Sequence, residues 1–179
     1  MSFSADDALL HARRLADRGE TGNARQLYGM ILERYPERTE AREAIAALED
    51  RSFRLATLSA LLENREYASV AEQREALAER FADSAVLHNL LGVAYANLER
   101  PEAAIPHFSK VLSIRPDLAQ VHVNLGKALS RTGEKQRAVA SFREALKLRP
   151  DYADAYFSLG TVFIGLARYQ QAAENFARC

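Results

Sequence analysis

The feature that most constrains this chain is a set of marks that returns every 34 residues. A Leu-Gly pair stands at Leu91-Gly92, Leu125-Gly126 and Leu159-Gly160, followed three residues after the glycine by Tyr95, Leu129 and Phe163. An alanine then a phenylalanine follow at Ala104 and Phe108, Ala138 and Phe142, Ala172 and Phe176, and a proline closes the unit at Pro116 and Pro150. Repetition at such a period means one supersecondary unit that cannot bury its apolar face alone and does so by stacking on its neighbours.

Within the middle unit, apolar or small residues recur at helical spacing on two segments: His122, Leu125, Gly126 and Leu129 on the first, Ala138, Phe142 and Ala145 on the second. Two helices of about 13 residues joined by a short turn make an antiparallel hairpin. A glycine inside a helix costs about 1 kcal/mol relative to alanine. Gly92, Gly126 and Gly160 therefore imply a close approach of the paired helix that offsets this cost. Pro116 and Pro150 are expected to end second helices, with Asp117 and Asp151 capping the next ones. Pro101 suits a helix start, and Pro106, a turn further on, predicts a late start or a kink.

The order L-G-x-x-(Y/L/F), A-x-x-x-F, P at this period resembles the tetratricopeptide repeat family over residues 85–179. The resemblance implies an all-α fold, a right-handed α-solenoid of stacked antiparallel helix hairpins. It also implies a non-catalytic interaction scaffold, with no cofactor and no metal, whose first helices line a concave face that takes a protein or peptide partner. Carried onto this chain, the partner-binding residues are Asn89, Val93, Asn97, Gln120, Val123, Asn124, Lys127, Arg131, Asp154, Phe157 and Thr161, with Val86, Ala96, Ser130, Ser158 and Ile164 beside them. Two ligand classes of the family are matched poorly. A carboxylate clamp wants Asn, Lys and Arg where Val93, Asp154 and Ser158 stand, and an asparagine ladder finds only Asn124, with Leu90 and Ser158 at its equivalents. The stretch from Ala60 to Leu98 also resembles the repeat arms of bacterial sulfotransferases and glycosyltransferases, so a targeting or substrate-presenting arm of such a transferase is the alternative reading.

Earlier in the chain the pattern loosens. Ser4 reads as a helix cap with Asp6 and Asp7 in the first turn, and Gly19 to Gly22 as a turn. Ala24, Tyr28 and Pro36 fall on the alanine, phenylalanine and proline positions, so residues 5–38 form a divergent repeat. From Pro36 to Ala82 there are 46 residues where one repeat uses 34. The surplus predicts an extra helix or linker over 39–52, broken near 50–52, then a degenerate repeat over 53–84. Regular units follow at 85–118, 119–152 and 153–179, the last stopping inside its second helix. That ending predicts a fragment of a longer chain, or an end face covered by another molecule, self-association included.

Composition excludes several classes. Twenty-four Lys plus Arg balance 24 Asp plus Glu, which removes the basic footprint of a nucleic-acid binder. No apolar run approaches the ~20 residues of a membrane span, and the N-terminus is too charged for a signal peptide, so no membrane association and a cytoplasmic location are expected. Cys179 is the one cysteine. His88 and His122 lie one period apart, and packing accounts for them better than metal binding, since no third ligand stands at a matching spacing. No phosphate-cradling glycine loop or nucleophile elbow is present, and the alternating charges from Arg131 to Arg149 read as a solvated face.

Overall fold

The computed structural model describes residues 4–73, 77 and 81–179. All regular structure among them is α-helical, and the chain divides into two compact units, Met1–Thr57 and Leu58–Cys179.

The first unit holds α1 (Ala5–Asp17), α2 (Thr21–Arg34) and the larger part of α3 (Thr39–Glu63). The Ser4 hydroxyl caps α1, accepting from the Asp7 amide at 3.1 Å, and Asp6 and Asp7 place negative charge at the positive end of the helix dipole. Ala12, Ala24 and Tyr28 are buried with Leu9, Ile31, Ala41 and Leu48 in one core. α2 starts at Thr21, so Gly22 lies in the helix; the turn needs only residues 18–20.

The break expected at 50–52 is absent. α3 is continuous over 25 residues, against 13 in each first helix of the later hairpins, and that difference equals the twelve surplus residues of the sequence. Glu49-Asp50-Arg51-Ser52 contains no glycine or proline, and the Arg54 guanidinium holds the Asp50 carboxylate at 2.9 Å one turn back, bridging the supposed break.

In the second unit α4 (Tyr67–Glu72) is followed by three hairpins: α5 (Ala85–Asn97) with α6 (Pro101–Ile114), α7 (Ala119–Arg131) with α8 (Lys135–Leu148), and α9 (Ala153–Gly165) with α10 (Tyr169–Phe176). Leu58, Val70, Leu77 and Phe81 are buried ahead of them; Arg74 and Ala78, assigned from sequence to the same helical face, lie outside the described residues. Hairpins stack in chain order, and one core runs from Ala119 and Val123 through Phe142 to Leu159 and Phe163.

The Leu-Gly signature has a direct steric cause. A Cβ on Gly92 would sit 2.7 Å from Phe108 Cε1, and one on Gly126 only 2.6 Å from Phe142 Cε1. The phenylalanine of each second helix lies where a side chain on the first helix would be. Phe108 and Phe142 are buried, and burying such a ring contributes roughly 2–3 kcal/mol, which outweighs the glycine's helix cost.

Every hairpin turn closes in the same way. The amides of Glu20, Glu66, Arg100, Glu134 and Arg168 donate to the carbonyls of Leu15, Leu61, Tyr95, Leu129 and Phe163, five residues back, at 2.8–2.9 Å. This is the 6→1 bond of a Schellman turn, which places the residue before the donor in the left-handed region. That residue is Gly19 or Gly133 in two turns, but Arg65, Glu99 and Ala167 in the others, with φ of 61°, 59° and 56°.

Two expectations about helix ends are corrected. Asp117 and Asp151 do not cap, because the cap positions of α7 and α9 are Leu118 and Tyr152, one residue later, and neither uses its side chain. Asp117 instead takes the Arg115 guanidinium at 3.0 Å through both oxygens, and that bond holds its carboxyl below the usual range. Of the two outcomes expected at Pro106, the late start is not seen: Pro101 is the first residue of α6, and Pro106 sits inside the helix, the position of the alternative kink. Pro101 needs no amide partner there, and the first turn is tightened by Ala103 and Ala104 both donating to Arg100 O at 3.2 Å. No helix among the described residues is long and apolar enough to cross a membrane.

Candidate partner-binding groove

Stacking turns α5, α7 and α9 toward one groove of about 590 Å³. Of the eleven partner-binding residues carried over from the sequence, eight line it: Val93 and Asn97 from α5, Asn124, Lys127 and Arg131 from α7, Asp154, Phe157 and Thr161 from α9. Ala96, Ser130 and Ser158 line it too, as do Ala128, Val162, Pro101, Phe108 and Phe142, which sequence reasoning did not place there. The two phenylalanines come from second helices. The available signal was the glycine opposite each one, since a ring that fills a missing side chain reaches across the hairpin.

Three candidates lie elsewhere. Val123 is fully buried in the core and cannot meet a partner. It stands one 34-residue period before the exposed Phe157, but in α7 that position lies inside the core shared by the second and third hairpins. Asn89 and Gln120, with Val86, line a second groove of about 560 Å³ beside Arg115, Asp117 and Arg149. The Asn89 side-chain oxygen is buried and has no hydrogen-bond partner. Ile164 is exposed and lines neither groove.

The charges of the main groove are already engaged. Lys127 Nζ lies 2.8 Å from Asp154 Oδ2, joining α7 to α9. Arg131 reaches back to α5, 3.5 Å from Glu99 and donating to the Ala96 carbonyl at 3.3 Å, where a cation also meets the negative end of that helix dipole. Lys135 does the same for α9, donating to Gly165 O at 2.5 Å. Among the amides, Gln120 donates through Nε2 to Asn124 Oδ1 at 3.2 Å and accepts through Oε1 from the Tyr152 hydroxyl. Phe157 is 58% exposed, its ring held 5.7 Å from Phe176.

The histidines belong to the scaffold. His88 Nε2 donates to Ala82 O at 2.9 Å and His122 Nε2 to Pro116 O at 3.0 Å, the same bond one period apart. His88 Nδ1 also lies 2.9 Å from His107 Nδ1, and His107 stacks on Tyr95 at 5.5 Å. Among the described residues no three His, Cys, Asp or Glu side chains gather as metal ligands would.

Hairpins that share one period, one turn and one glycine-phenylalanine contact define a helical-repeat solenoid. Two family profiles match: a tetratricopeptide repeat profile over residues 55–119, and the middle TPR-like domain of cilia and flagella-associated protein 70 over residues 96–179. The chain is a tetratricopeptide repeat protein. Solved structures share the fold at low identity. MamA from Desulfovibrio magneticus RS-1 is 16% identical with a TM-score of 0.65, the alignment covering 99% of this chain and 94% of that one. MamA of AMB-1 is 22% identical with a TM-score of 0.63, covering 97% and 86%. YrrB, described as a TPR protein with an unusual peptide-binding site, is 18% identical with a TM-score of 0.63, covering 98% and 84%. No curated protein matches the sequence.

Proposed function

We propose that this chain is a non-catalytic scaffold that holds a segment of a protein partner in the groove along α5, α7 and α9. The observation that carries the reading is the convergence of side chains from three successive first helices on one groove, in which apolar residues stand among amides and hydroxyls. A pocket of that kind suits a chain whose side chains need apolar contact and whose backbone needs polar partners. The fold shared with YrrB, a protein whose description names a peptide-binding site, supports the same reading. The test is selection of binders from a displayed random-peptide library, followed by measurement on groove variants. An Asn97→Ala/Asn124→Ala double variant is expected to weaken the selected peptides about tenfold or more, while Val86→Ser in the second groove leaves them unchanged. Equal binding by all three proteins would place the site elsewhere.

A further inference from the structure

The loops before α7 and α9 carry the same three residues one period apart, Arg115-Pro116-Asp117 and Arg149-Pro150-Asp151, yet their arginines are placed differently. Arg115 is closed on its own loop, its guanidinium bonded at 3.0 Å to both oxygens of Asp117. Arg149 makes no ion pair with Asp151 or with any other described residue; its guanidinium carbon lies 4.2 Å from the centre of the Tyr152 ring. The residue after each aspartate accounts for the difference. Leu118 offers the first arginine no aromatic face, whereas Tyr152 does, and a guanidinium stacked on a ring keeps its N–H edge open. Tyr152 is itself held, since its hydroxyl donates to Gln120 Oε1 and Gln120 Nε2 donates to Asn124 Oδ1. Arg149 is therefore a cation whose ordering cost is already met.

This arginine edges the second groove, of about 560 Å³, which shares no lining residue with the main one. Val86, Leu90, Leu118 and Leu148 stand among its apolar walls, and Val86 and Leu148 are exposed. Arg115 and Asp117 cancel, so the lining carries a single positive charge in excess. A carboxylate meets that charge and fits the planar fork through both oxygens. A phosphate dianion would leave a negative charge uncompensated among apolar side chains. An extended polypeptide is a poor match, because each of its residues brings an N–H and a C=O, while Gln120 is spent at both ends and Arg115 is closed on Asp117. What remains is Arg149 and the Asn89 amide, whose oxygen has no partner. A ligand with few polar atoms suits such a wall, and the volume lies within the range of small-molecule sites, about 300–1,000 Å³.

We propose that the second groove binds a small organic monocarboxylate, its carboxylate on the Arg149 guanidinium and its aliphatic or aryl body against Val86, Leu118 and Leu148. The site stands independently of the partner segment assigned to the main groove.

The test screens the full chain by methyl NMR against aliphatic and aryl monocarboxylates of about four to ten carbons, each paired with its primary amide and with the phosphate monoester of the same body. The carboxylates are expected to move the methyl signals of Val86 and Leu148, to leave those of Val93 and Val162 in the main groove unmoved, and to bind about tenfold or more tighter than the amides. Arg149→Gln abolishes that preference. Tyr152→Leu recreates the first loop, lets Arg149 turn to Asp151, and weakens the carboxylate; adding Asp151→Asn recovers part of the loss, which a misfolded variant would not do, and melting temperatures are recorded for all variants. Amides that bind as well as carboxylates, shifts at Val93 and Val162 instead, undiminished binding by Arg149→Gln, or no shift with any compound would overturn the inference. Tighter binding of the phosphate monoesters, or of the same carboxylate carried at the end of a short peptide, would overturn it too. Each of these results leaves the reading of the main groove untouched.

Discussion

The ring of Phe142 occupies the space that a side chain on Gly126 would need: a Cβ there would stand 2.6 Å from Cε1 and 2.8 Å from Cδ1 and Cζ. Phe108 stands in the same relation to Gly92, and Phe176 to Gly160. The glycine is kept for a contact, since its backbone is ordinary helix and none of the three has a positive φ. Gly126→Ala should therefore cost about 1–3 kcal/mol, the usual penalty of overpacking a rigid core. Gly29→Ala in α2, where nothing lies within 4 Å, should stabilise by about 0.5–1 kcal/mol. Urea denaturation followed by circular dichroism checks both, and effects of the same sign would contradict the steric account.

The hairpin turns predict the opposite outcome for a different glycine change. Ala167 holds φ 56° at the position where Gly133 holds φ 84°. A left-handed conformation costs a residue with a side chain about 1–2 kcal/mol. Ala167→Gly should raise stability by up to about 1 kcal/mol, and Gly133→Ala should lower it by a similar amount. A stability loss in Ala167→Gly measured by thermal melting would show that the turn carries no such strain.

The continuity of α3 is tested at Phe53, whose side chain is exposed and gives up little packing when replaced. If a helix began here with Ser52 as its cap, proline at position 53 would be its first residue and well tolerated. Inside a continuous helix, Phe53→Pro removes a hydrogen bond and clashes with the preceding turn, costing about 3 kcal/mol. A melting temperature within a degree or two of the parent's, for a change this large, would restore the break.

The carbonyls of Ala82 and Pro116 dictate a tautomer. A carbonyl oxygen only accepts, so neutral His88 and His122 must both carry the proton on Nε2. For His88 this leaves Nδ1 to accept from His107 Nδ1–H across 2.9 Å. Long-range proton-nitrogen correlation spectra of the imidazoles read the tautomer directly. The Nδ1–H form at either residue would mean that the bond to the preceding loop is not made.

Lys127 and Arg131 serve as probes of binding because they contribute little to stability. Both side chains are close to half exposed, and pairs of that kind contribute about 0–1 kcal/mol. Lys127→Ala and Arg131→Ala should each move the unfolding midpoint only slightly, and a loss of about 2 kcal/mol or more in either would show that the cross-hairpin bond is structural.

Much of this architecture could be read before any coordinates. The recurrence of Gly92, Phe108 and Pro116 as Gly126, Phe142 and Pro150 located three hairpins and their packing contact, because helix pairing depends on side chains three and four apart along the chain. Sequence pattern did not reveal the left-handed residues at Arg65, Glu99 and Ala167, since the turn's geometry comes from the 6→1 backbone bond and not from a residue that advertises it. Nor did it reveal that α3 runs unbroken, because a stretch without glycine or proline is permissive toward both outcomes. The groove divides along the same line. Local periodicity put Asn97, Asn124 and Thr161 on first helices, but Val123 is lost under the next hairpin, and Lys127 finds Asp154 twenty-seven positions away. Such burial and charge pairing are set when hairpins stack, between residues that no helical period relates.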